Sequence, residues 1–132
     1  MEQLYNNTKW ALAVRDSQIL EAGMGLYAEE DIPTNSLIGY YEGEMTRDTT
    51  KLSPYSFEVS PRYFIDAKEY PRCYIAMVND ARKSPFGYNC EFRMEVCKDV
   101  KKRKIVLYTT ADISKGSEMF ANYGDDYWNV VA

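Results

Sequence analysis

Apolar and polar positions along this chain alternate over short stretches. Brief segments rich in β-branched and aromatic side chains are separated by glycine, proline, asparagine and aspartate, the pattern of a mainly β domain. It predicts strands over Trp10 to Val14, Leu26 to Ala28, Leu37 to Tyr41, Tyr55 to Val59, Tyr63 to Asp66, Cys90 to Val96 and Ile105 to Thr110. Strands this short need several partners to be stable. Asp31-Ile32-Pro33-Thr34-Asn35-Ser36 and Asp112-Ile113-Ser114-Lys115-Gly116-Ser117 each follow a strand and carry turn chemistry. The two turns resemble each other, although no fixed period joins the segments into a repeat. Helix is scarce. One short piece is predicted over Arg72 to Val78, confined by Pro71 before it and Asn79-Asp80 after it. From Asp80 to Tyr88 the sequence turns polar and basic, as an exposed loop does.

The length, 132 residues, suits one domain with a real core and no need of disulfide or metal staples. No apolar run approaches the roughly 20 residues that cross a bilayer. The first residues lack the basic start and apolar stretch of a secretory signal, so an intracellular setting is expected. Cys73, Cys90 and Cys97 are an odd number without CxxC spacing, which favours reduced, packed thiols over a disulfide framework or a zinc site. There is no histidine, and with it go the usual general base, the Ser/His and Cys/His nucleophile pairs and the commonest zinc ligand. Formal net charge is −4, with acidic residues gathered at 29–31, Glu42, Glu44, Glu118 and 125–126. Such a surface suits a basic partner and argues against direct nucleic-acid binding. The single basic run, Lys101-Lys102-Arg103-Lys104, reads as a hairpin turn.

Gly23-Met24-Gly25 stands just before a strand, where glycines let backbone approach a ligand closely and present its amides. Taken alone it is more often a turn than a cofactor site, and the third glycine, helix and acidic residue of a dinucleotide site are missing. The order of motifs says more. Gly23-x-Gly25 is followed by 38–44 (Ile-Gly-Tyr-Tyr-Glu-Gly-Glu), then Tyr63-Phe64-Ile65-Asp66-Ala67, then Val78-Asn79-Asp80, then 118–124 (Glu-Met-Phe-Ala-Asn-Tyr-Gly). This succession resembles the SET-domain family of protein lysine methyltransferases, over about residues 9 to 128 of a single domain spanning 1–132. The closing 123–128, Tyr-Gly-Asp-Asp-Tyr-Trp, is similar to small viral and lower-eukaryotic members.

The resemblance implies a fold of short β-sheets with little helix, in which the C-terminal segment threads under a preceding loop as a pseudoknot, against the usual rule on threaded connections. It implies S-adenosylmethionine as cofactor, bound on one face, and a substrate lysine entering from the other through a narrow channel. Cofactor contacts fall by position on Gly23, Met24, Gly25, Tyr55, Asn79, Asp80, Tyr123 and Trp128. Tyr123 matches the catalytic tyrosine; Tyr41, with Ala121 and Tyr127, matches the lysine channel. The implied partner is a lysine-bearing basic tail, a histone tail first, in a nuclear or chromatin setting. Small relatives without lids include homodimers, which keeps that state open here.

Three departures from the family pattern bear on cofactor affinity. Asp80 replaces the usual histidine, Ala76 stands where an arginine is common, and Tyr88-Asn89 replaces Pro-Asn. No cysteine-rich segment follows Trp128, so no zinc-bound lid is implied, and Tyr127 and Trp128 would close the site. Ala121 stands where relatives carry a phenylalanine or tyrosine that limits methylation, so room for di- or trimethylation is expected, or else for a water or a relaxed sheet. Two competing readings remain: a non-catalytic SET-like module that recognises a basic tail, and a small β-barrel of another kind, such as an OB-fold.

Overall fold

The structure, a computed structural model, describes residues 3–69, 71–82 and 84–123. Among these, twelve short strands form four small sheets. β1 (Leu4–Tyr5) pairs in parallel with β8 (Arg72–Cys73). β2 (Leu12–Asp16) and β3 (Met24–Ala28) form a hairpin, and β11 (Glu118–Met119) adds to the free edge of β3. β7 (Tyr63–Asp66) lies between β5 (Glu44–Thr46) and β6 (Ser56–Ser60). The last sheet runs β12 (Ala121–Asn122), β9 (Cys90–Glu95), β10 (Lys104–Thr109), β4 (Leu37–Tyr40), and only its β12–β9 pair is parallel.

Every strand predicted from the apolar pattern is present, with ends displaced by at most two residues. The strands that pattern cannot reveal are those of two or three residues, too short to alternate. The predicted helical piece over 72–78 is corrected: Arg72–Cys73 is extended beside β1, and only Tyr74–Met77 makes one tight helical turn. The cause is local. The Arg72 amide donates to Gln3 O across the sheet, and Cys73 is held extended at φ −70°, ψ 152°. The core where the sheets meet is filled by Leu26, Ile32, Ile38, Ile75, Leu107 and Met119, all essentially out of contact with water.

The two similar turns are partners. Ile32 and Ile113 exchange backbone hydrogen bonds, both 2.8 Å. Asp112 Oδ1 accepts from the Thr34 amide at 2.8 Å, and Asp31 Oδ1 from the Lys115 amide at 2.9 Å. Their likeness is therefore that of two halves of one reciprocal contact.

The C-terminal segment is gripped from both sides. The Ala121 amide donates to Asn79 O at 3.0 Å, and the Cys90 amide donates to Phe120 O at 3.0 Å. Asn89 uses both ends of its amide: Nδ2 donates to Glu118 O at 2.9 Å, and Oδ1 accepts from the Phe120 amide at 2.8 Å. The residues flanking the 80–88 loop on both sides are thus bonded to the C-terminal segment, as the expected pseudoknot requires. Asn89→Ala is expected to lower the unfolding free energy by about 1–3 kcal/mol, since it leaves two partly buried backbone groups without partners. Urea unfolding measures this; an unchanged midpoint would mean the clamp is held by the main chain alone.

Candidate active site

One cavity, of about 360 Å³, opens where the β2–β3 turn, the Val78–Asp80 segment and the residue after β12 converge. Tyr41, Phe57, Phe92 and Tyr123 line one part of it; Ile19 to Ala22, Asn79, Asp80 and Arg82 line the rest. The strand period brings the aromatic rings together. Ala121 pairs with Cys90 and Asn122 with Glu91 in a parallel ladder, so one further step sets Tyr123 beside Phe92 on the same face. Ring centroids lie 6.1 Å apart for Phe92–Tyr123 and for Phe57–Tyr123, 4.8 Å for Tyr41–Phe57 and 4.7 Å for Phe57–Phe92.

Hydrogen bonds fix the two tyrosines. The Tyr123 hydroxyl donates to the Val78 carbonyl, while its amide donates to Asp80 Oδ2 at 2.7 Å. The Tyr41 hydroxyl donates to the Tyr55 carbonyl at 2.5 Å. Burial pushes the Tyr41 phenol well above its ordinary pKa, helped by neighbouring Tyr123, so it stays protonated and can only act as a neutral dipole. Tyr55 lies under the Arg72 guanidinium, 3.9 Å from ring centroid to Cζ, which holds that wall in place. Asp80 is buried, and its other oxygen accepts from the Arg82 amide at 2.8 Å and the Tyr88 hydroxyl at 2.7 Å.

The SET-domain profile matches residues 23–124, most of the chain. The chain belongs to the SET-domain family. No curated protein sequence matches it significantly. Among solved structures it is similar to KRYPTONITE in complex with methylated DNA and SAH (TM-score 0.70, 22% identity, 89% of this chain and 24% of that one). It is also similar to the Chaetomium thermophilum polycomb repressive complex 2 (TM-score 0.72, 23% identity, 92% and 16%). A third similar structure is a Plasmodium falciparum protein described as a histone methyltransferase (TM-score 0.67, 18% identity, 91% and 98%). This SET domain thus spans a quarter or less of the first two chains and nearly all of the third.

In this SET domain the glycine motif also makes contacts within the protein itself. Gly23, Met24 and Gly25 do not line the cavity. Gly23 takes φ +75°, and its carbonyl receives the Ser17 amide at 2.8 Å, closing the β2–β3 turn. The Met24 carbonyl accepts from Asn79 Nδ2 at 2.9 Å. A Cβ on Gly25 would lie 2.2 Å from Glu118 Oε2 and 3.3 Å from Asn79 Nδ2. The second glycine therefore makes room for protein side chains. Glu118, expected on the acidic surface, is buried and holds the turn: it accepts from Ser17 Oγ at 2.7 Å, the Gln18 amide at 2.8 Å and the Tyr27 hydroxyl at 3.1 Å. Burial, with the Glu118 charge beside it, raises the Tyr27 pKa.

Of the other residues expected in the site, Tyr41, Tyr55, Asn79, Asp80 and Tyr123 line the cavity. Ala121 does not; it is fully buried behind the ladder. Tyr127 and Trp128 lie outside the described residues. Phe57, Phe92 and the turn 19–22 were not singled out in the sequence. The signal for the phenylalanines was alternation, since each stands two residues beyond Tyr55 or Cys90 on the same strand face; for the turn, the apolar Ile19-Leu20 three residues ahead of Gly23. Gly25→Ala is expected to destabilise the ligand-free protein by about 1–3 kcal/mol through overpacking against Glu118. Ligand-free unfolding that matches wild type would show that Glu118 gives way to the added methyl at no cost.

Proposed function

We propose that this SET domain is a protein-lysine N-methyltransferase that uses S-adenosylmethionine and acts on a basic protein tail, a histone tail first. The observation that carries the proposal is the meeting, in one cavity, of the Tyr123 phenol with Tyr41 and two further aromatic walls on one side and Asn79 on the other. KRYPTONITE has been solved with SAH and an H3 peptide, and a Chaetomium thermophilum polycomb complex with S-adenosylmethionine; the shared fold supports carrying both ligand classes over as a proposal. A histone substrate would place the protein on chromatin, and the net charge of −4 suits a basic tail.

The residues fit the cofactor. A cavity of about 360 Å³ is within the range of small-molecule sites, roughly 300–1,000 Å³. Asn79 spends its Nδ2 on Met24 and presents Oδ1 as an acceptor for an ammonium group. Arg82 on the same lining suits a carboxylate. When bound, S-adenosylmethionine supplies a methyl carbon on positive sulfur, which the lysine lone pair takes as the carbon–sulfur bonding pair returns to sulfur.

The chain's own residues then have three tasks. Free lysine has a pKa of about 10.4, so its neutral form must be favoured, and the aromatic walls do this by desolvating the amine. With no histidine in the chain, the proton leaves to water. Tyr123, fixed at its hydroxyl by Val78 O and at its amide by Asp80, aligns the amine; orientation of this kind contributes up to roughly 7–11 kcal/mol against the bimolecular reference. The ring faces and the tyrosine oxygens stabilise the positive charge spread over nitrogen, carbon and sulfur.

Labelled-methyl transfer to core histones tests the proposal. Tyr123→Phe is expected to lower turnover about ten-fold or more with cofactor affinity nearly intact, because the hydroxyl acts on the transition state. Equal turnover would remove Tyr123 from the mechanism. Asn79→Ala is expected to weaken cofactor binding by about ten-fold, the loss of one enclosed polar partner. Calorimetry reads it directly, and an unchanged Kd would place the cofactor elsewhere. Cofactor binding without transfer to any protein would favour the non-catalytic tail-binding reading.

A further inference from the structure

Charge is unevenly spread along this chain. Residues 98–104, Lys-Asp-Val-Lys-Lys-Arg-Lys, carry five cationic side chains and one acidic one, while the remainder carries 11 cationic and 19 acidic. The run forms the turn between β9 and β10, as its composition predicts, and the turn is well built. Val100–Lys102 make one tight helical turn. Asp99 holds it: Oδ1 accepts from the Lys101 amide at 3.0 Å, and its carbonyl from the Lys102 amide at 2.9 Å. Arg103 turns inward, where Nε donates to Cys97 O at 2.9 Å and Nη1 to Val59 O at 2.8 Å, tying the turn to β6. Lys98, Lys101, Lys102 and Lys104 are exposed, and among the described residues none of them forms an ion pair. Lys104 is opposed by its ladder partner Glu95 and lies over the Tyr40 ring. Lys98, Lys101 and Lys102 are left as three ammonium groups on one rigid projection. Gathered like charges repel one another, and none of the three holds any part of the fold.

We propose that this turn docks on the phosphate backbone of duplex DNA, that of the nucleosome whose histone tail enters the cavity. The nucleosomal source of the DNA rests on the methyltransferase reading above; the phosphate contact does not. Lysines meet phosphates as point charges and read no base edges, so the contact carries affinity and orientation without sequence preference. The acidic remainder of the chain repels a duplex, which confines the approach to this one basic projection. A histone octamer presents both partners at once, since it is wrapped by about 146–147 base pairs of DNA. The acidic body then faces the basic tail while the tip faces phosphate. Placement agrees with this division. Phe92 lines the cavity, and β9 ends at Glu95, which puts the base of the turn roughly 10 Å along the strand from the cavity. A carrier that reads basic runs as extended peptide would have to break the Asp99 and Arg103 bonds first, whereas a duplex meets the turn as folded.

Anisotropy of a short fluorescent duplex, titrated with the protein at several salt concentrations, tests the surface without turnover. Three phosphate contacts predict that affinity falls about 40-fold between about 50 and 200 mM salt. Lys101→Ala/Lys102→Ala is expected to weaken binding and to flatten that dependence to about four-fold, whereas Lys101→Arg/Lys102→Arg keeps it. On reconstituted nucleosomes the alanine variant is expected to lose about ten-fold in kcat/KM, chiefly through KM, with kcat/KM on a free histone-tail peptide unchanged. Duplex binding that is the same in wild type and the alanine variant, or an equal loss on nucleosome and peptide, overturns the docking surface and leaves the enzyme reading intact. Phosphatidylserine vesicles bound in preference to the duplex overturn the choice of DNA as partner. Duplex binding with the predicted salt dependence, but no methyl transfer to nucleosome or peptide, overturns the enzyme reading and the nucleosomal source with it, while the phosphate contact stands.

Discussion

The segment Glu118 to Tyr123 can serve this protein only because both of its sides are hydrogen-bonded to the ends of one loop. Its register is set on one side by Asn79 O and on the other by Asn89 and the Cys90 amide. Each such bond contributes on the order of 1 kcal/mol, but leaving a buried partner unpaired costs more, so the register resists slippage. From that register follow the burial of Ala121, the place of Tyr123 beside Phe92, and the inward aim of Glu118 toward the turn at 17–18. One threaded segment positions both halves of the cavity.

Asp80 links this clamp to chemistry. A buried carboxylate ordinarily needs a partner for each oxygen, and Asp80 has them in the amides of Tyr123 and Arg82 and the hydroxyl of Tyr88. Two of the three departures from the family pattern, Asp80 and Tyr88, thus satisfy each other. Burial, with Asp80 as hydrogen-bond partner, raises the Tyr88 pKa, so the phenol remains a donor to the carboxylate at neutral pH. The third departure, Ala76, lines the cavity without a polar group. A site lacking histidine is thereby organised by backbone amides, carbonyls and phenols, which suits a reaction needing alignment and desolvation more than a strong base.

Much of the fold was legible because the longer strands are runs of β-branched and aromatic residues bounded by turn residues, and Tyr63 to Asp66 or Ile105 to Thr109 announce themselves by that pattern alone. The family likeness, carried by spaced short motifs, placed Tyr41, Asn79 and Tyr123, and the geometry brings all three to one cavity. What was not legible depends on long-range register. Nothing near Glu118 in sequence reveals that it faces Gly25, and nothing near Tyr123 reveals that it stands beside Phe92. The cofactor contact expected of Gly25 came from the family resemblance; its packing against Glu118 and Asn79 depends on strands far apart in sequence. Two-residue strands such as β11 and β12 have no periodicity to read, although the site is built on them.

The central claim is that one clamped segment assembles a cofactor half and a lysine half around Tyr123. A crystal structure with S-adenosylhomocysteine and a lysine peptide tests it most directly. The account predicts the cofactor between the 19–22 turn and Asn79, with its sulfur turned toward the Tyr123 hydroxyl and the lysine nitrogen reaching it along the edges of Tyr41 and Phe92. A cofactor bound away from Asn79, or a peptide whose lysine does not approach Tyr123, would contradict it.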